Sequence, residues 1–150
     1  MQRVADKVFF DFDSTLLRAE SLDILAEMKG VSEEARMLTA RSMNGETSFR
    51  GALMRKLGIL RPSRSDVLEL VRKCNGLFVE DAEEVIRALR FLDKGVFVLS
   101  SNFHPIVDPL VSRLGIPKKE VFANDIYFNA DGAYLGIDEK SPLCTGEGKV

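Results

Sequence analysis

The sequence lacks the features that mark membrane, nucleic-acid-binding and disulfide-bonded proteins. Its 150 residues contain no apolar run near the ~20 residues that a membrane span requires. The net charge is −2, so there is no electrostatic basis for binding nucleic acid or an anionic membrane. Only two cysteines occur, Cys74 and Cys144, at no metal or redox spacing, which favours a reducing, cytoplasmic setting. The polar N-terminus shows no signal peptide, so we expect one cytoplasmic globular domain.

The chain does have two carboxylates directly behind an apolar run. Asp11-Phe12-Asp13-Ser14-Thr15 follows Val8-Phe9-Phe10, and residues 7–12 are predicted as a buried parallel strand. Holding two carboxylates at the end of such a strand is energetically costly, and open α/β sheets bind ligands at the carboxyl ends of their strands. The pair therefore indicates a metal-assisted nucleophile and a proton donor.

A block of helices without any strand signal follows this first strand. The second of its four predicted helices starts with Ser32 as N-cap and ends near residue 43, where Asn44-Gly45 breaks it. The first helix has Ser21 as a candidate cap. The third covers residues 48–57, and the fourth begins at residues 62–66. We interpret residues 19–75 as a helical cap domain inserted into a core formed by residues 1–18 and 76–150.

The second half of the chain alternates between helices and strands, which predicts a doubly wound α/β core. Its elements are a helix at 80–92, a strand at 96–99, a helix at 105–114, a strand at 120–123, and a hairpin with strands at 126–128 and 133–135. The strand at 96–99 is expected to end at Ser100-Ser101-Asn102. His104, the only histidine, is expected at the start of the next helix.

Three motifs in this order resemble those of haloacid-dehalogenase-type phosphatases. They are the Asp11 motif, Ser100 after the second apolar strand, and Lys149 behind a glycine-containing loop. Glu20, the helical insertion and Val121-Phe122-Ala123-Asn124 before a hairpin resemble phosphoserine phosphatases more narrowly. The resemblance covers essentially the whole chain and implies that family's doubly wound parallel sheet, incomplete here, with a helical cap after the first strand.

The resemblance also implies a reaction, namely Mg²⁺-dependent hydrolysis of phosphoserine or a similar small amino-acid phosphate, with a place in serine biosynthesis. It makes Asp11 the nucleophile that forms an aspartyl-phosphate, and Asp13 the acid and then the base. Mg²⁺ would be held by the Asp11 carboxylate and the Asp13 main-chain carbonyl. Phosphate binding would fall to Ser100, Ser101 and Lys149, and substrate binding to Glu20, Phe49, Arg55, Lys56 and Asn102.

Simpler interpretations of single residues remain open. Ser100 would cap the following helix, Lys149 would be a surface lysine, and Glu20 would be a solvated acid in the first turn of a helix. Arg55 and Lys56 are adjacent, so only one of them can face the cleft, and a charged helix face is the alternative.

Two departures from the family pattern bear on the substrate and leave phosphomonoester hydrolysis intact. Ser101 and Asn102 stand where the family has two glycines, which narrows the floor of the pocket. Lys56 stands where the family has arginine, and lysine cannot bind a carboxylate in a bidentate manner.

A third departure is that the family's fourth motif, a Gly-Asp-x-x-x-Asp loop with a further Mg²⁺ ligand, does not occur before Val150. The resemblance places the strand that carries this motif beside residues 7–12, which become a sheet edge prone to pairing. We expect a fragment or truncated gene product with weak metal binding, or an edge covered in a homodimer or by strand exchange. The alternative function is a catalytically impaired domain that binds a phosphorylated ligand or a partner chain.

Overall fold

A three-stranded parallel sheet forms the centre of the fold. The computed structural model describes residues 5–145. Within them the strands β1 (Lys7–Phe10), β2 (Gly95–Phe103) and β3 (Val121–Asn124) lie in the order β1-β2-β3. β2 pairs in parallel with both neighbours, and its alternate residues Val96 and Val98 are buried, as the two-residue period of a strand requires. The α/β class and the parallel sheet predicted from the sequence are confirmed.

A block of four helices follows β1, as the sequence predicted, and a fifth helix precedes β2. The four helices of the block are α1 (Ser21–Met28), α2 (Ser32–Met43), α3 (Phe49–Leu60) and α4 (Arg64–Cys74). Ser48 and Ser63 are the N-caps of α3 and α4, and each side chain accepts a main-chain hydrogen bond from the first turn. The prediction of Ser32 as an N-cap is wrong. The helix begins one residue earlier, because the carbonyl of Val31 already accepts a hydrogen bond from the N–H of Ala35.

Two further helices and a hairpin complete the described chain. They are α5 (Ala82–Phe91), α6 (His104–Val111), β4 (Ile126–Phe128) and β5 (Tyr134–Ile137). The predicted helix at 105–114 is α6 followed by a 3₁₀ turn at Ser112–Leu114. The predicted hairpin is confirmed, with Gly132 at a φ of 83° in its turn. Nowhere in residues 5–145 is a helix both long enough and apolar enough to cross a bilayer.

Two predicted strand ends near the site are wrong. β1 ends at Phe10 because the chain turns at Phe12, whose carbonyl accepts a hydrogen bond from the N–H of Leu16 at 3.0 Å. β2 continues to Phe103, so residues 100–102 lie inside the strand and not after it. Its pairing with β3 resumes at Phe103 after an irregular stretch, and this tertiary pairing outweighs the weak strand preference of serine and asparagine.

The two connections between the helical block and the sheet run side by side. The N–H of Arg18 donates to the carbonyl of Leu77 at 2.8 Å, and the N–H of Val79 donates to the carbonyl of Leu16 at 2.9 Å. These contacts tie the chain that leaves the sheet to the chain that returns to it. The division into a cap at 19–75 and a core stays a prediction.

The hairpin contacts the first turn of α4, and the residues that follow it contact the first turn of α3. The main-chain N–H of Arg64 donates to the carbonyl of Gly132 at 2.8 Å. The guanidinium of Arg64 lies 5.7 Å from the ring centre of Phe128. Arg50 on α3 forms an ion pair with Glu139 at 2.6 Å. Glu139 follows β5, so the segment just after the hairpin contacts α3, the helix that carries Phe49 and Lys56.

Three phenylalanines form an exposed aromatic cluster on one face of the sheet. The rings of Phe9 and Phe97 stack with centroids 5.0 Å apart, and Phe122 lies 6.4 Å and 6.3 Å from them. Phe9 and Phe122 are 52% and 46% exposed. β1 is also an edge strand of the sheet within residues 5–145, so this aromatic face adjoins an unpaired strand edge.

Candidate active site

Asp13 is held by hydrogen bonds to both of its side-chain oxygens. Oδ1 accepts one from the main-chain N–H of Ser21, and Oδ2 accepts one from Nδ2 of Asn102, each at 2.8 Å. Burial raises the pKa of Asp13 above its usual value, although these hydrogen bonds act to lower it. A carboxyl group whose pKa is raised is suited to carry and donate a proton.

Asn102 connects Asp13 to two further groups. It is only 3% exposed, and its Nδ2 donates to Oγ of Ser21 as well as to Asp13. Its own N–H donates to Oγ of Ser100 at 3.1 Å, and its Oδ1 accepts from the N–H of Phe103. Its predicted role in substrate binding stays a prediction, but its side-chain amide is already committed to the Asp13 carboxylate.

Asp11 stands directly after β1 and is exposed, with Oδ1 accepting a hydrogen bond from the N–H of Phe12 at 2.8 Å. The loop that follows is strained, because Ser14 has a φ of 56°, a left-handed conformation that side chains rarely adopt. Oγ of Ser14 donates to Oε1 of Glu20 at 2.7 Å. The loop is thus tied to Glu20, the N-cap residue of α1.

A cavity of about 240 Å³ lies between the strand ends and the helical block. The predicted site residues that line it are Asp13, Glu20, Phe49, Lys56, Ser101 and Asn102. Asp11, Ser100 and Arg55 are not among the residues that line it. Asp11, two residues before Asp13, and Arg55 are exposed, and Ser100 is buried. Lys149 falls outside the described residues.

Lys56, and not Arg55, is the member of this adjacent pair that faces the cavity. Its Nζ lies 2.6 Å from Oδ1 of Asp23 and 3.2 Å from Oγ1 of Thr39. Arg55 is exposed on α3. The sequence left open which of the two residues faces the cleft, and the orientation of α3 places Lys56 there.

Sequence reasoning missed Ser21 and Asp23 as members of the site. The sequence predicts Ser21 only as a helix cap, which is wrong because Glu20 is the N-cap of α1. The N–H of Ser21 donates to Asp13, and its Oγ accepts a hydrogen bond from Asn102. Asp23 lies three residues after Glu20, so both residues face the same side of α1. The three-residue spacing between Glu20 and Asp23 is the one sequence signal that points to Asp23. It does not identify Lys56 as the residue with which Asp23 forms an ion pair.

The residues after β1 fit a weakly held Mg²⁺, which prefers oxygen ligands and keeps several waters. Asp11 offers a carboxylate there. Both side-chain oxygens of Asp13 are hydrogen-bonded, so its predicted metal role is confined to the main-chain carbonyl. Within residues 5–145 no three His, Cys, Asp or Glu side chains gather into a metal-binding cluster. Mg²⁺ therefore stays a prediction.

Comparison with known sequences points to one family. The family model described as "HAD: haloacid dehalogenase-like hydrolase" matches residues 8–150. Phosphoserine phosphatase of Homo sapiens is 37% identical over 148 residues, which cover 97% of this chain and 66% of the human protein. The chloroplastic phosphoserine phosphatase of Arabidopsis thaliana is 36% identical over 99% of this chain and 50% of its own length. The chain thus spans between half and two thirds of these relatives.

Solved structures agree with the sequence comparison. A phosphoserine phosphohydrolase-like protein from Francisella tularensis subsp. tularensis SCHU S4 superposes with a TM-score of 0.84 at 27% identity, over 95% of this chain and 68% of that one. A substrate-bound phosphoserine phosphatase complex gives a TM-score of 0.78 at 29% identity, over 95% and 66% of the two chains.

Proposed function

Because this chain belongs to the haloacid dehalogenase-like hydrolase family, we propose that it hydrolyses phosphate monoesters. The observation that carries the proposal is the position of Asp13. Its carboxyl group, with a pKa raised by burial, lines a cavity at the carboxyl ends of β1 and β2. Ligands of open α/β sheets bind at this place, and a protonated carboxyl group there can donate to a leaving oxygen.

In the proposed reaction Asp11 attacks the phosphorus atom, and the bond from phosphorus to the substrate oxygen breaks. Asp13 donates its proton to that oxygen, which leaves an alcohol and an aspartyl-phosphate on Asp11. Asp13, now a carboxylate, takes a proton from the water that releases phosphate. Bound Mg²⁺, held by the Asp11 carboxylate and the Asp13 carbonyl, would neutralise charge on the phosphoryl group.

The proposed substrate is phosphoserine or a similar small amino-acid phosphate. The phosphoserine phosphatases among the relatives support this choice. Glu20 lines the cavity and is suited to bind an ammonium group, and Lys56 lines it with a positive charge. Phe49 supplies apolar surface to the same cavity, whose size fits a small substrate.

The test is phosphate release from O-phospho-L-serine by the full chain, with Mg²⁺ and with EDTA. We expect Mg²⁺-dependent release that is abolished in Asp11→Asn, because an amide is a poor nucleophile. Asp131→Asn, the same substitution at an exposed position in the hairpin turn, is the matched control and should retain activity. Folded wild-type protein that releases no phosphate from any phosphomonoester would refute the proposal.

A second candidate function, binding of a partner chain, is favoured by the exposed aromatic cluster beside the β1 edge. We propose that this face pairs two copies of the chain, as a homodimer or by strand exchange, because large exposed apolar patches mark interaction sites. Light scattering after size exclusion should show a dimer that Phe9→Thr with Phe122→Thr dissociates. Phe91→Thr, at a 90% exposed position on α5, is the control. A monomeric wild-type protein would exclude this function.

A further inference from the structure

Lys56 carries the one positive charge among the described residues that line the cavity. Its side chain is only 12% exposed, and Nζ contacts both Asp23 and Thr39. An ammonium group has three N–H donors, so two of them already have partners in the protein. One donor remains for a substrate.

The other charged groups at the cavity are the carboxylates of Asp13 and Glu20. The uncharged part of the lining combines six apolar residues with four polar ones. The apolar residues are Leu22, Leu38, Met43, Phe49, Ala52 and Leu53, and the polar ones are Thr39, Ser42, Ser101 and Asn102. Glu20 offers a partner to an ammonium group on the substrate. The one positive charge in the lining for a carboxylate on the substrate is that of Lys56, and Asp23 at 2.6 Å already offsets part of that charge.

We propose that Asp23 is a specificity-determining residue, which weakens recognition of a substrate carboxylate by holding Lys56. The preference for phosphoserine over O-phosphoethanolamine, which has the same ammonium group and lacks the carboxylate, is thereby reduced. The proposal rests on the proposed function, since it concerns the substrate of the same cavity. Lysine makes the competition effective, because it is a compact point charge and not a planar fork that can bind two carboxylates side by side.

The decisive variant is Asp23→Asn, which removes the competing charge and keeps the shape of the side chain. We expect the ratio of kcat/KM for phosphoserine to kcat/KM for O-phosphoethanolamine to rise about fivefold, the effect of one partly exposed ion pair. The change should come mainly from a lower KM for phosphoserine, because Asp23 acts on binding and does not touch the reacting atoms. The kcat for O-phosphoethanolamine should stay nearly constant.

Two further variants separate this effect from a general change in charge. Glu27→Gln removes the same charge from α1. Glu27 lines the same neighbouring groove as Asp23, but the described ion pair with Lys56 is formed by Asp23, so the ratio should stay at its wild-type value. Lys56→Gln should lower kcat/KM for phosphoserine several-fold and leave O-phosphoethanolamine little affected. Circular dichroism checks that each variant is folded.

The possible results distinguish this proposal from the proposed function. If wild type hydrolyses both esters and Asp23→Asn leaves the ratio unchanged or lowers it, the role of Asp23 is wrong and the phosphatase function stands. If neither ester is hydrolysed, the phosphatase function is wrong, and calorimetric titration with the same two esters tests Asp23 separately. Asp23→Asn should then lower the Kd for phosphoserine alone about fivefold, and the absence of binding to either ester would overturn the proposal.

Discussion

Nδ2 of Asn102 donates a hydrogen bond to Oδ2 of Asp13 at 2.8 Å, which joins β2 to the loop that follows β1. The same nitrogen donates to Oγ of Ser21, the first residue of α1. Asn102 and Ser21 are 3% and 0% exposed, so water cannot readily replace either partner. One buried amide therefore holds three segments of the chain around the carboxyl group of Asp13.

Asn102→Ala should lower the free energy of unfolding by about 1–3 kcal/mol, because it removes the hydrogen bonds that the buried Asn102 amide donates to Asp13 and Ser21. Urea denaturation measures the change. Asn129→Ala is the matched control, since its Oδ1 accepts a hydrogen bond from Ala133 in an exposed turn, and its loss should cost less than about 1 kcal/mol. Equal losses in the two variants would show that the buried amide has no special structural role.

Asp13→Asn should lower kcat for phosphoserine by about 10²–10⁴-fold, because an amide cannot supply the proton that the leaving oxygen requires. KM should change little, since Asp13 is proposed to act on the leaving group and not on binding. Steady-state phosphate release measures both constants, with Asp131→Asn as the control for the substitution itself. A kcat within tenfold of wild type would mean that the proton comes from another source.

The local features of the sequence predicted most of the fold and part of the site. The helical block was recognisable from its helical patterns without any strand signal, and Asp11 and Asp13 were recognisable behind an apolar strand. These signals lie within a few residues of the element they define. Secondary-structure patterns of this kind act locally, so a single sequence reveals them. The two predicted capping serines, Ser21 and Ser32, are instead the first residues of α1 and α2.

The contacts that complete the site could not be predicted, because they join residues far apart in the chain. Asn102 and Asp13 are separated by 89 positions, and Lys56 and Asp23 by 33. The end of β2 was placed too early for a similar reason, since pairing with β3 and not local preference extends it to Phe103. A single sequence contains no direct record of such pairings.

The stability of the fold should fall in alkaline solution because of Cys74. Burial, and to a smaller extent the charge of Asp13, raises the pKa of Cys74 to about 11 from 9.0. The stabilisation is fully present below pH 9 and is lost as the pH rises toward 11, because the unfolded thiol ionises first. Between pH 9 and pH 11 the free energy of unfolding should fall by about 2–3 kcal/mol.

Urea denaturation from pH 8 to pH 10.5 tests this expectation in wild type and Cys74→Ala. The variant should be less stable at pH 8, because it leaves a small cavity, but its stability should fall less steeply with pH. Cys144→Ala is the matched control, which keeps Cys74 and should retain most of the wild-type slope. Parallel pH curves for wild type and Cys74→Ala would contradict the prediction.

Asp66 should stabilise the protein at neutral pH and not in acid. Burial alone would raise its pKa, but Lys29 at 2.7 Å and the capping hydrogen bonds from Ser63 lower the pKa below 3.8. This stabilisation is therefore present above pH 3.8 and is lost as the pH falls through the lowered pKa of the folded state. Asp66→Asn should lower the free energy of unfolding by about 1–2 kcal/mol at pH 7. Urea denaturation should show that the difference in this free energy between variant and wild type becomes smaller at pH 3 and below. Glu69→Gln, an exposed position one turn later on α4, should unfold with the wild-type free energy at both pH values.

If the difference between Asp66→Asn and wild type is as large in acid as at pH 7, the packing of the Asp66 side chain, and not its charge, joins α1 to α4.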